Sequence, residues 1–171
     1  SYISKSLEKI YQIYPLGKIK KVYTVNLLNK KSLELKIIRI NPDVIINCVA
    51  ATNVDECIKD YRYAFKGNTL VSSNIVDCIK RVKKKIHLIH FSTDHVYSGQ
   101  LLRKSKENQP NSVNNYSRTK LLAEKEIKKI ANHTIIRFNF FGKLLKGNSS
   151  FSDFIVKNLK NRNKVKIPLN V

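Results

Sequence analysis

The stretch Asp43-Val44-Ile45-Ile46-Asn47-Cys48-Val49-Ala50 decides the fold. It is a nearly continuous apolar run with no alternation of polar residues, the pattern of a strand buried on both faces, as in a parallel sheet covered by helices. Asn41-Pro42 stands before it and should end the preceding helix, because the residue ahead of a proline is pushed out of helical conformation. Small residues at the end of the run leave room for a ligand.

Working outward, short β-branched runs alternate with amphipathic stretches of helical period, which predicts an α/β protein. Upstream, Ser1 to Tyr11 reads as a helix with Ile3, Leu7 and Ile10 on one face, Gln12 to Leu16 as a short strand ended by Gly17, Lys21 to Val25 as a further strand, and Ser32 to Ile40 as a helix. Downstream, a short helix is expected from about Val54, a longer one over Tyr61 to Arg81, a strand over Ile86 to Phe91, a helix from about Ser112 to Ala131, a strand over Thr134 to Phe138 and a helix over Phe151 to Leu159. No internal repeat or flexible linker interrupts this order, so the 171 residues form one domain.

Charge and cysteines narrow the function classes. The formal charge of +21, from 33 Lys and Arg against 12 Asp and Glu, raises the question of a nucleic-acid or anionic-membrane partner. The lysines are scattered, however, and the densest stretch (Lys80, Arg81, Lys83, Lys84, Lys85) falls at a helix end, where it also suits the helix dipole. With no nucleic-acid-binding motif, compositional bias is the preferred account, and no nucleic acid and no membrane are expected. Cys48, Cys57 and Cys78 lack paired spacing and form no ligand cluster with the four histidines, so no metal and a reducing, cytoplasmic setting are expected. No apolar run approaches the roughly 20 residues that span a bilayer.

The most unusual polar residues fall at strand ends: Asn47, then Ser92-Thr93-Asp94, then Asn139. Ligands of open parallel sheets bind outside the carboxyl ends of strands. Tyr116 and Lys120 lie four positions apart on one face of the expected helix. With the hydroxyls of Ser92-Thr93 they supply an acid–base site, in which an adjacent cation is expected to lower the phenol's pKa toward useful values.

Pro42 to Cys48 with Thr52-Asn53-Val54-Asp55-Glu56-Cys57, then Ser92-Thr93-Asp94, then Tyr116-x-x-x-Lys120, then Arg137-Phe138-Asn139-Phe140-Phe141-Gly142 occur in the order found in the extended short-chain dehydrogenase/reductases. Over nearly its whole length the chain resembles that family's dTDP-4-dehydrorhamnose reductase-like, sugar-nucleotide-reducing branch. The resemblance implies a Rossmann-like, doubly wound parallel sheet. It makes Tyr116 the general acid, gives Lys120 the tasks of lowering the phenol's pKa and holding the nicotinamide ribose, and has Thr93 hydrogen-bond the reacting carbonyl. Asn47, Ala50, Ala51 and Ser92 are expected along the cofactor, plain packing being the alternative for the alanines. Asp94 and Asn139 are candidates for substrate contact, with structural support the alternative for Asp94 and for His95. Asn68 matches a family asparagine that supports the site, and a helix cap accounts for it as well.

Such a domain opens with a strand and a Gly-x-x-Gly-x-x-Gly turn that holds the pyrophosphate, and neither occurs here. The sequence is therefore expected to be a partial Rossmann domain truncated at both ends, with residues from about 143 to 171 leading into a substrate-binding part, and as given to be inactive. Lys18, Lys20 and Lys21, where an acidic residue would favour NAD(H), point to NADP(H) ahead of NAD(H). The expected reaction is reduction of a 4-keto nucleotide-sugar for cell-surface polysaccharide, by a protein that is a homodimer at full length. An epimerase or dehydratase of the same family, or a non-catalytic regulatory subunit with this fold, stands as the alternative.

Overall fold

The computed structural model describes residues 2–16, 25–97, 112, 114–138, 157–158 and 160–161. The expected elements at 21–24, 151–156 and 165–171, together with Lys18 and Asn139, lie outside the described residues.

Among the described residues, three parallel strands form the sheet, in the order β1 (Val44–Asn47), β2 (His87–Thr93), β3 (His133–Phe138). Val44 stands opposite His87 and Asn47 opposite His90, while Leu88 pairs with His133 and Thr93 with Phe138. The helices are α1 (Tyr2–Leu7), α2 (Lys30–Ile40), α3 (Val54–Lys59), α4 (Tyr61–Ala64), α5 (Val71–Arg81) and α6 (Asn115–Ile127). A parallel sheet joined through helices is the Rossmann-like arrangement that the alternation of apolar runs predicts.

Local chemistry sets the boundaries. The Asn29 side chain accepts from Ser32 N and starts α2 two residues earlier than the apolar pattern indicates. Asn41 ends that helix in left-handed conformation (φ 51°), returning its N–H to Ile37 O before Pro42. Asn53, Asp60 and Asn114 cap α3, α4 and α6, the last in a reciprocal capping box with Ser117. The first helix is shorter than expected, stopping at Leu7 with only turns beyond it, and of the strand expected over Gln12 to Leu16 only Leu16 makes a bridge. Pro15 has no N–H to give a ladder there.

The core lies between one face of the sheet and the helices α2, α5 and α6. Leu33 and Ile37 of α2, Val71, Ile75 and Ile79 of α5, Leu88 of β2 and Ile127 of α6 form one buried cluster. Lys30 to Asp77 (2.6 Å) and Arg81 to Glu34 (3.0 Å) join α2 to α5 along its rim, and Lys84 reaches Asp43 at 2.8 Å, so part of the basic run is paired at the surface. No helix among the described residues is long and apolar enough to cross a membrane.

Between α4 and α5 the chain winds through a π-turn, Phe65–Leu70, that widens the helix by one residue. Gly67 sits in it: a Cβ there would stand 2.8 Å from the Ala51 Cβ and 3.2 Å from the Ala51 N, so only glycine lets the helix approach the segment leaving β1.

His90 is fully buried at the centre of the sheet. The Asn47 amide Nδ2 can only donate, so His90 Nδ1, 3.1 Å away, accepts and the ring proton rests on Nε2. Burial, reinforced by the Lys120 charge, pulls the imidazole down to about 3. An unfolded chain takes up a proton near pH 6.5 that the fold refuses, so stability falls as pH drops from there toward 3. The expected loss is up to about 1.4 kcal/mol per pH unit. Urea unfolding between about pH 4 and 6 should show a shallower pH slope for His90→Gln than for the parent, and parallel slopes would refute this assignment.

Candidate active site

The site forms where β1 and β2 end and α6 begins. Thr93, the last residue of β2, is buried, and its side chain is close enough to the Tyr116 phenol to favour its ionised form. Tyr116 and Lys120 share a face of α6 because they are one turn apart. Lys120 is 2% exposed, and its ammonium donates to Phe91 O at 2.6 Å, two residues before Thr93. Phenol, ammonium and threonine hydroxyl thus converge on one strand end.

The electrostatics differ from the expectation on one point. Burial raises the Tyr116 phenol above its ordinary value, the Thr93 hydrogen bond pulls it back, and Cys57 and Asp94 add to the rise. Lys120 is not among the groups that set it, and its ammonium donates to Phe91 O. Burial brings the Lys120 amine down to about 8, with Glu124 and then Cys48 acting in the opposite sense. At neutral pH the site therefore holds a protonated phenol beside a protonated amine.

The supporting residues explain this placement. Asn68, on the π-turn, accepts from Ala51 N at 2.8 Å and donates to Thr119 Oγ1 at 2.9 Å. Thr119 Oγ1 in turn faces the Asn115 and Tyr116 carbonyls at 2.8 and 2.9 Å, and Thr69 Oγ1 donates to Thr119 O at 2.8 Å. Asn68 is therefore a buried bridge between the segment leaving β1 and the first turn of α6, and it caps no helix. Ala51, Cys57 and Ala64 pack together with Tyr116 against them.

The residues expected along a cofactor divide. Ala50 is half-buried at the strand end, and Ala51 is buried with its N–H committed to Asn68. Asn47 turns its side chain into the protein, donating toward His90 Nδ1 and Ser72 Oγ (3.3 Å) and accepting from Val49 N (3.1 Å). Ser92 donates its hydroxyl to Glu124 at 2.6 Å. Asp94 and His95 follow Thr93 in a short 3-10 turn, with His95 edge-on to the Tyr116 ring at 6.0 Å and near Asp94 at 3.8 Å. Reading the sequence missed Gly67, Thr119, Glu124 and the side-chain role of Arg137. Only the four-residue step from Lys120 to Glu124 could have pointed to one of them.

A buried cation, a threonine hydroxyl and a phenol at the carboxyl ends of parallel strands suit a ligand with a carbonyl and vicinal hydroxyls, which fits a nicotinamide ribose and a keto substrate. The small Ala50 and Ala51 beside them fit close backbone approach.

Comparison with known proteins supports the fold. A dTDP-4-dehydrorhamnose reductase of Escherichia coli is 28% identical over 121 residues, covering 67% of this chain and 39% of that enzyme. The crystal structure of a hypothetical dTDP-4-dehydrorhamnose reductase from Sulfolobus tokodaii is 33% identical with a TM-score of 0.70, covering 79% of this chain and 50% of that one. That of the Bacillus anthracis dTDP-4-dehydrorhamnose reductase in complex with NADP is 26% identical with a TM-score of 0.77, covering 95% and 58%. The chain thus spans about half the length of the relatives it matches. The family model described as the RmlD substrate binding domain matches residues 4–168, and the chain belongs to that family.

Proposed function

We propose that the protein of which this chain is part reduces the 4-keto group of a nucleotide-linked sugar with a nicotinamide cofactor, NADPH in preference to NADH, in the synthesis of cell-surface polysaccharide. The observation that carries this reading is the Thr93 side chain at the end of β2 close to the Tyr116 phenol, with the Lys120 ammonium held on Phe91 O two residues earlier. Lys18, and the NADP complex of the Bacillus anthracis relative, support the cofactor preference.

The bound cofactor supplies the hydride, which no side chain can provide. The chain's own residues handle the oxygen and the proton. Thr93 holds the carbonyl oxygen and fixes its distance from Tyr116. The phenol, kept protonated by its burial, delivers a proton to that oxygen as negative charge develops on it. Lys120 offers its ammonium to the cofactor's ribose hydroxyls and supplies positive potential at the same strand end. Asp94, in the turn after Thr93, and Asn139 are the residues assigned to contact with the sugar. The intact Thr93, Tyr116 and Lys120 favour an enzyme over a regulatory subunit.

Tyr116→Phe in the full-length protein should lower kcat for dTDP-4-keto-sugar reduction by about 10²- to 10⁴-fold, while NADPH fluorescence titration stays near the parent value. Full activity in that variant would refute the assignment. Lys120→Met should also lose turnover, yet gain on the order of 1–3 kcal/mol of stability at pH 7, because it removes a charge whose burial favours the neutral form. In the parent, the same effect makes stability rise with pH from about 8 toward the ordinary lysine value of 10.5. Thermal unfolding at pH 7 and pH 9 checks both signs.

A further inference from the structure

Glu124 is 1% exposed, one turn beyond Lys120 on α6. Its Oε1 accepts from Ser92 Oγ at 2.6 Å and from Arg137 Nε at 2.9 Å, and its Oε2 accepts from Arg137 Nη2 at 2.6 Å. Arg137, on β3, also donates to the Tyr97 hydroxyl and lies 5.2 Å over that ring. One carboxylate therefore ties together α6, β2, β3 and the segment that follows Thr93. Buried ion pairs often contribute little net stability, because desolvation of both charges offsets their attraction. This one lies between the strand end bearing Thr93 and the helix bearing Tyr116 and Lys120.

We propose that Glu124 is a positioning residue of the Tyr116–Lys120 site: through Ser92 and Arg137 it fixes the Thr93 strand end against α6, and it sets a buried carboxylate one helical turn beyond Lys120. The inference rests on the reading of Tyr116 and Lys120 as the reacting pair. The groups acting on Lys120 come from each element around it. Phe91 O on β2 accepts from the ammonium, and Glu124 on its own helix and Cys48 beyond β1 favour its charge. His90 on β2 stays neutral beside it. Among the acidic groups, Glu124 has the largest effect on the amine, which burial alone would take below about 8. Ser92 adjoins Thr93, so the clamp reaches the substrate-side hydroxyl through a single peptide bond.

The test uses Glu124→Gln and the double variant Glu124→Gln/Arg137→Gln, whose two amides can still pair if the single variant leaves Arg137 too exposed to fold around. In full-length protein carrying 13Cε-labelled lysine, the Lys120 resonance, assigned by its loss in Lys120→Met, should titrate about one pH unit or more lower in the folded variant. The kcat at neutral pH should fall at least about tenfold with the NADPH dissociation constant unchanged, and should recover partly in Glu124→Asp. A Lys120 titration at the parent position, or an unchanged kcat, overturns the proposal. If the parent protein oxidises no NADPH with any keto-sugar nucleotide, the functional reading fails, while the Lys120 titration still decides whether Glu124 sets its charge.

Discussion

The side-chain amide of Asn68 is the contact on which the site depends. It is 1% exposed, and it satisfies Ala51 N with its oxygen and Thr119 Oγ1 with its nitrogen, so the end of β1 and the start of α6 are held by one rigid planar group. A buried amide of this kind is costly unless both ends are paired. Here both are, and the geometry this demands explains two neighbouring features. The π-turn brings Asn68 inward, and Gly67 lets the turn approach Ala51 closely enough for the bond to form.

From that bridge the rest of the polar interior follows. Ser72, one turn along, donates to Asn68 O and meets Asn47, and Asn47 meets His90 in the neighbouring strand. A second set, Ser92, Glu124, Arg137 and Tyr97, closes the other side of α6. Tyr116 and Lys120 lie on the helix between the two sets, which lock its rotation and its height against the strand ends. The site is thus preorganised by interactions that its reacting groups do not themselves make.

This arrangement also accounts for the ionisation of the pair. A helical step of four guarantees that Tyr116 and Lys120 share a face, but not that the ammonium faces the phenol. Lys120 is drawn to Phe91 O, and the phenol is left to burial and Thr93. The fold thereby keeps a proton on Tyr116, the form that the proposed reduction needs.

By itself the sequence determined the parallel α/β fold and the position of most elements, and it singled out Thr93, Tyr116 and Lys120 as candidates, because apolar periodicity and local spacing act over a few residues. Val44 to Asn47 and Asn115 to Ile127 lie within the expected runs, while β2, His87 to Thr93, continues two residues past its expected end at Phe91. Tertiary structure decided what required partners distant in the chain. Asn68 reads locally as a cap and is a bridge to residue 119; Ser92 and Asn47, expected at the cofactor, spend side-chain donors on Glu124 and His90; the Lys120 charge goes to a strand carbonyl. A side chain's hydrogen-bonding partner is set by which elements pack beside it, and spacing along one helix or strand carries no record of that.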